Sequence, residues 1–501
     1  MFGQKSTSNK IESYTRLMNP YKKFPQDVGI IGMTNVVIAL RVLILLPVIT
    51  KTLGASGYGI WTQVVVTLSL IAPISDLNLS FAIVRFLAAE KNKREIQESF
   101  FSVVIATLCW SAILAVVIIL LANSLTDFLF HNLALLQVIY IMAAMVPLSA
   151  LEFACLAFFR AFRVMKTYSV FTISRYLLEL ALVVSLVLTG YGIWGAVIAM
   201  LVARVVIDAT MLGIIISRIG IRLPVFSKLK SYLRFGTPMI LDNLSSWITG
   251  SSDRYVIVFF IGVASVGIYS AAYNLAAIIL FLSAPLGIVL TPTLAKLYDE
   301  NLVNEVRTHL TYSLKYFLML AIPAVCGISI LAKPLLQILS TPEFIPTGAL
   351  VVPIIAASLL LVGVYVIFSQ VFVLIKRTGI IGISWATAAL LNLGLNIVFV
   401  PRFGVIAAAF ATLTSYSLVT AVIVFFSTKH LKFDIKVSFI LKNLAASGVM
   451  SLIVWKLDPT GIINVLWVIV LGVLLYFGSL FLMKGLSLNE IRFFRELFRR
   501  G

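Results

Sequence analysis

Charge is scarce in this sequence. Asp, Glu, Lys and Arg make up 12% of its 501 residues, about half of what a soluble domain carries. Acidic side chains are the scarcer sign, 20 against 39 Lys and Arg, and cysteine and histidine appear three times each. Cys109, Cys155 and Cys326 all sit inside apolar runs, without the spacing of a disulfide framework or a zinc site. They read as small buried side chains. No G-x-x-x-x-G-K-[ST] stretch occurs, which excludes that phosphate cradle and leaves gradients or product removal as the source of energy. Long polar segments are missing too, which excludes a folded domain outside the apolar runs.

What fills the chain is hydrophobic: 61% of residues, with a mean hydropathy of +1.07. Apolar runs near twenty residues recur from Val28 to Met483. Each suffices to cross a hydrocarbon core of about 30 Å at about 1.5 Å per residue. None alternates with period two, so helices and not barrel strands are expected. The pattern predicts an all-α polytopic membrane protein with about 14 transmembrane helices. Residues 1–27 are polar and lack the apolar core of a cleavable leader, so the first helix reads as an uncleaved anchor.

The net charge of +19 does not point to nucleic acid, because the cations are sorted by side. With the N-terminus inside, 29 Lys and Arg fall in inner tails and loops and four (Lys51, Lys333, Arg402, Lys456) in outer loops. The positive-inside rule then places both termini in the cytoplasm, as an even number of spans also requires. The stretch "SLNEIRFFRELFRR" opens with the capping box Ser487 and Glu490 and reads as an interfacial amphipathic helix or a topogenic tail.

One short phrase occurs twice. "LGASGYGIW" (53–61) returns as "IGVASVGIY" (261–269), 208 residues later, aligning Gly54 with Gly262, Gly59 with Gly267 and Trp61 with Tyr269. "GYGIWGAVIA" (190–199) returns as "RFGVIAAAFA" (402–411), aligning Gly192 with Gly404. Two landmarks in order read as a duplication, a 6+6 parallel repeat followed by two further helices. The expected division is a tail (1–27), a first lobe (28–217), a linker (218–233), a second lobe (234–428), a final helix pair (429–485) and a basic tail (486–501). Trp61 and Tyr269 are expected near the outer membrane interface, where aromatic rings are favoured.

At this point the chain resembles a known family. "LLPVITKTLGASGYGIW", "LNLSFAIVRFLAAE", "SSDRYVIVFFIGVASVGIYSAAYNLA" and "LNLGLNIVFVPRFGVIAAAFAT" are similar to phrases of the polysaccharide transporters in the MATE-like MOP exporter superfamily, which include the O-antigen (Wzx-type) flippases. The resemblance covers most of residues 28–485. It implies a MATE-like two-lobe fold and a flippase, not an enzyme, that moves a polyprenyl-diphosphate-linked oligosaccharide across the cytoplasmic membrane by alternating access. It implies a glycan lipid, membrane lipids and a glycan polymerase or glycosyltransferases as partners, no nucleic acid, and no cofactor beyond a coupling proton or sodium ion. An ion-coupled small-molecule antiporter shares the architecture. A membrane glycosyltransferase or polymerase would need a larger outer loop than the one around His131 and Asp127.

Six cations remain inside the apolar runs: Arg41, Arg85, Arg175, Arg204, Arg254 and Lys315. Each costs about 2.5–3.5 kcal/mol to insert at mid-bilayer, so each needs a partner or a wet cavity. Arg175/Glu179 and Arg204/Asp208 both have i,i+4 spacing. On antiparallel helices Arg175 matches Asp208 in depth and Arg204 matches Glu179, which predicts two crossed ion pairs or, failing that, a substrate cavity. Asp242 and Asp253 lie eleven residues apart, nearly on one helix face; they are expected to line a cleft, or to pair internally with Arg254. Asp76 is a further cavity candidate. Arg41 has no acid within helical reach in sequence, and an unpaired guanidinium facing a cavity suits a diphosphate. Arg85 is expected to meet a headgroup at entry or to snorkel to the interface. Asn392 and Asn396 are expected to hydrogen-bond between helices.

Overall fold

Every regular element is a helix in the computed structural model, which describes residues 20–90 and 92–485. In chain order these are α1 (Pro20–Ser75), α2 (Leu79–Phe86), α3 (Lys93–Leu120), α4 (Ala122–Phe130), α5 (Leu136–Ala161), α6 (Met165–Leu186), α7 (Gly192–Ile219), α8 (Leu229–Gly236) and α9 (Met239–Phe260). They continue as α10 (Val263–Ala276), α11 (Leu280–Asp299), α12 (Val303–Ile330), α13 (Ala332–Leu339), α14 (Ile345–Leu374), α15 (Gly379–Phe403), α16 (Val405–His430), α17 (Val437–Leu457) and α18 (Ile462–Leu482). Eleven helical stretches among the described residues are long and apolar enough to cross a membrane. The chain is an all-helical multi-pass membrane protein. The first helix starts at Pro20, inside the segment expected to be a polar tail. The C-terminal tail with Ser487 and Glu490 lies outside the described residues.

Glycine decides where several of these helices end. Gly54 breaks α1 with φ 68° and ψ −169°, and Gly262 precedes α10 with φ 123° and ψ 169°. Gly192 opens α7 with φ 58° and ψ −142°, and Gly404 precedes α16 with φ 71° and ψ −155°. This corner of φ/ψ space is essentially closed to residues with a Cβ. Both pairs aligned from the sequence therefore share a glycine-only conformation. Further elements recur at nearly the same interval. The series α3, α4, α5 begins at residues 93, 122 and 136, and the series α12, α13, α14 at 303, 332 and 345. The short helices α4 and α13 have no clear signal in the sequence.

α1 packs along α10 and α6, α5 lies against α3 and α7, and α14 lies against α10, α12 and α16. One apolar cluster joins Leu46, Trp61 and Val197 to Ala271 and Phe344, so distant parts of the chain share a core. Trp61 lies in this cluster and Tyr269 in the one built around α10 and α14, so both rings, 6% and 0% exposed, are covered by protein and do not face lipid. Their small neighbours let helices close over them, which hydropathy cannot foresee. The last pair, α17 and α18, docks on α12. Pro323 lies inside α12 and cannot donate to the carbonyl four residues back. That carbonyl, on Met319, accepts a hydrogen bond from Tyr476 Oη of α18 at 2.7 Å. Its neighbour on Leu318 accepts one from Asn443 Nδ2 of α17, also at 2.7 Å.

Candidate functional site

Four helices bring a chain of alternating charges together inside the apolar region. Arg41 of α1 pairs with Glu179 of α6 at 2.5 Å. Glu179 also lies 3.5 Å from Arg175, one turn away on the same helix. Arg175 Nε is 2.8 Å from Glu152 of α5, close but not aligned as a hydrogen bond. The other oxygen of Glu152 lies 2.9 Å from Arg204 Nη1 of α7, which also donates to Ser149 Oγ at 2.8 Å. The ring of Tyr176 lies beneath two guanidinium groups, 3.9 Å from Arg175 and 4.7 Å from Arg41. Three guanidinium groups thus share two carboxylates.

This arrangement differs from the crossed quartet. Arg175 does not reach Asp208, and Arg204 does not reach Glu179; both converge on Glu152. Helix spacing matches α6 to α7 in depth only, whereas α5 packs against α7 and supplies the acid. Asp208 is fully buried, and neither of its oxygens has a partner among the described residues. Arg41 is not the unpaired cation expected, because its acid comes from α6, 138 residues away in sequence. The visible signal for Glu152 was a lone carboxylate in the apolar run "ALEFACLAFF".

A second buried cluster joins α9 and α10. Asp253 pairs with its neighbour Arg254 at 2.7 Å and accepts a hydrogen bond from Tyr269 Oη. Arg254 also donates to Gly250 O at 2.6 Å and lies 4.3 Å from the Tyr273 ring. Of the two roles open to Asp253, the internal pair is the one observed. Asn392 Nδ2 reaches Thr412 Oγ1 of α16 at 3.4 Å, and Asn396 Nδ2 donates to Asn392 Oδ1 at 3.0 Å, so one interhelical bond joins an intrahelical one.

Asp76 Oδ2 accepts from Ser80 N at 3.1 Å, capping α2 after the left-handed pair Leu77 and Asn78, with φ 49° and 51°. Arg85 is exposed, 5.3 Å from the Phe235 ring of α8. Lys315 lies 4.9 Å from the Phe439 ring. The side chain of Asp242 is outside the described set. Two cavities, of about 330 Å³ beside Phe403 and about 160 Å³ beside His430, are lined by none of these charged residues.

From α1 and the turn that follows it, polar bonds reach α9 and α10. Asn274 Nδ2 donates to Tyr58 Oη at 2.9 Å, Thr67 and Tyr255 hydroxyls lie 2.7 Å apart, Trp247 Nε1 donates to Ser69 Oγ at 3.0 Å, and Asn243 Nδ2 to Asn78 Oδ1 at 3.0 Å. The two charge clusters therefore flank a seam closed by neutral hydrogen bonds, which are weak enough to exchange with water.

Residues 24–298, more than half of the chain, match the family model described as polysaccharide biosynthesis protein. The chain belongs to this family. It is 29% identical over 281 residues to a Haloferax volcanii protein named "Probable flippase AglR", the match covering 54% of this chain and 57% of that relative. It is 23% identical over 201 residues to "Probable low-salt glycan biosynthesis flippase Agl15" of the same organism, covering 40% and 42%. The aligned stretches thus span about half the length of these relatives. Its fold is shared with the lipid II flippase MurJ in an inward closed conformation, with a TM-score of 0.73 at 17% identity, covering 95% of this chain and 99% of that one. An inward-facing MATE family multidrug resistance transporter of the MOP superfamily gives 0.61 at 18% identity, covering 79% and 94%.

Proposed function

We propose that this member of the polysaccharide biosynthesis family is a flippase for a polyprenyl-diphosphate-linked oligosaccharide in the cytoplasmic membrane. The observation that carries the reading is the chain from Arg41 to Arg204, where three guanidinium groups share two carboxylates. A diphosphate can replace Glu179 at Arg41 without stranding that carboxylate, because Glu179 keeps Arg175. Bidentate guanidinium–phosphate pairing supplies the geometry. The names of the Haloferax relatives support the class of cargo.

In this reading the chain crosses the membrane fourteen times. The stretches Gly29–Ser75 and Met165–Ile219 each fold back at a glycine and count twice, and α9 supplies one crossing more. Residues 28–217 and 234–428 form two parallel halves that rock about the α1/α9–α10 seam, and residues 429–485 are appended. Both termini face the cytoplasm, and a proton or sodium gradient or product removal drives the cycle. Polymerase or transferase partners take or deliver the glycan.

The test is glycan export in a strain lacking its own flippase, with membrane abundance measured beside it. Arg41→Ala should lower export roughly ten- to a hundredfold, the effect of one charged hydrogen bond, at nearly unchanged abundance. Arg41→Lys, which keeps the charge but loses the planar fork, should fall between. Full export by Arg41→Ala would sink the assignment.

A further inference from the structure

The repeated turns touch each other. A Cβ on Gly59 would sit 1.9 Å from the carbonyl oxygen of Val263, and a Cβ on Gly267 would sit 2.1 Å from that of Ala55. Ala55 and Val263 are themselves equivalent, 208 residues apart. The contact is therefore reciprocal, as in a two-fold dimer where residue i meets j and j meets i, but within one chain. Backbones can approach this closely only because both positions are glycine.

Across this crossing lies a strap that is not duplicated. Ala55 begins a helical segment after the break at Gly54, so its N–H is one of the donors a helix start leaves free. Glu343, between α13 and α14, accepts that hydrogen at 2.7 Å. Thr341 Oγ1 donates to the same oxygen at 3.0 Å, and Thr50 Oγ1 donates to Leu339 O at 2.9 Å. In the other copy, α10 has no side-chain cap among the described residues. Two residues before α5, where α14 has Glu343, stands Ala134. A duplicated scaffold does not require Glu343; something about this end of the molecule does.

We propose that Glu343 is the positioning residue of a latch. It lends the first half a helix cap from the second half and so holds the glycine crossing shut, and release of the cap is the first event when this end opens. This rests on the transporter reading, in which the glycine end is the outer end. Glu343 is exposed, so water can replace its bond when the strap lifts, as a reversible latch demands. One turn deeper than Gly59, Gln63 is fully buried, and neither end of its amide has a partner among the described residues; it lies shielded behind the crossing.

The test uses the full chain with Cys109, Cys155 and Cys326 replaced by Ala and Gln63→Cys as reporter, in lipid nanodiscs that leave both faces accessible. Glu343→Ala should raise the rate of maleimide labelling at position 63 roughly three- to tenfold, the range of a single helix cap. Glu343→Gln, which keeps an acceptor oxygen, should restore most of the protection. Gly267→Ala should raise labelling at least as much, at a melting temperature that shows a folded protein. Labelling of Glu343→Ala within twofold of the parent overturns the latch, even if Gly267→Ala fails to fold, and so does Gln labelling as fast as Ala. If labelling answers to Glu343 but no glycan is exported by the parent chain, the flippase reading fails and the latch stands.

Discussion

Glu152 holds two arginines at once, 2.8 Å from Arg175 and 2.9 Å from Arg204. Removing one partner of a buried ion pair costs about 3–5 kcal/mol, because the survivor stays charged without compensation. Glu152→Gln should therefore lower the melting temperature and membrane abundance sharply. Asp208→Asn should change neither by much, since neither Asp208 oxygen has a hydrogen-bond partner to strand among the described residues. Equal damage from the two substitutions, read by thermal melts in the same detergent, would refute the assigned network. The contrast also marks what the sequence could disclose about the site. The charged residues announced themselves by standing in apolar runs, and Arg175 with Glu179 follows from helical spacing. Which carboxylate meets which guanidinium did not follow, because α5 and α7 choose their faces by packing small residues, not by charge. The same holds for Arg41, whose acid is supplied by another helix.

At the scale of elements, the breaks were the most legible feature. Gly54, Gly192, Gly262 and Gly404 could be aligned as pairs from sequence, and each occupies a conformation closed to other residues. Gly404→Ala tests the backbone alone, since a Cβ there would meet nothing within 4 Å. It should cost about 1–3 kcal/mol of pure strain. Gly213→Ala, inside α7 with equally open space, should stabilise by about 0.5–1 kcal/mol. A melting comparison that gave both substitutions the same sign would contradict the backbone account. The short helices α4 and α13 and the 3₁₀ turns after them escaped the sequence reading, since segments of eight or nine residues carry too few turns for apolar periodicity to register. The expected linker (218–233) runs into the helix α8 (Leu229–Gly236). Its docking depends on Phe86 stacked 5.0 Å from Tyr232 and on Lys228, which reaches Glu90 at 2.6 Å and Glu95 at 2.7 Å. These two carboxylates hold the Lys228 ammonium above the usual lysine range. A raised lysine contributes fully below its unfolded value, about 10.4, and is lost only as pH climbs through its folded value. Cleavage by trypsin after Arg222, taken relative to an unstructured peptide substrate at the same pH, should therefore stay constant from pH 7 to 9, and Lys228→Glu should accelerate it several-fold at both. A steep rise of wild-type cleavage within that interval would contradict the sign.

For the whole molecule, charge asymmetry gives the orientation its test. Cysteines at Ser56, Thr189 and Thr460 should react with an impermeant maleimide added outside sealed cells, and cysteines at Asn92 and Ser227 should not. Labelling of the second pair from outside would reverse the molecule in the membrane. Fold class and the glycine-end turns were readable because lipid forces every backbone group to be satisfied within helices. How the two turns cross was not readable, since it depends on a contact between residues 208 positions apart.

The docking of α17 and α18 on α12 bears on synthesis in time. Pro323 leaves the Met319 carbonyl without a donor until Tyr476 arrives, 157 residues later in the chain. A ribosome that has delivered the chain only as far as His430 has placed α12 in the bilayer with that oxygen bare. Hydrocarbon offers it no substitute donor. Completion of α12 is therefore deferred to the arrival of α18, and an arrested nascent chain would present the kink at Pro323 as an open polar mark. Membrane proteases that survey unassembled helices should clear chains stalled before Tyr476 faster than chains stalled just after it.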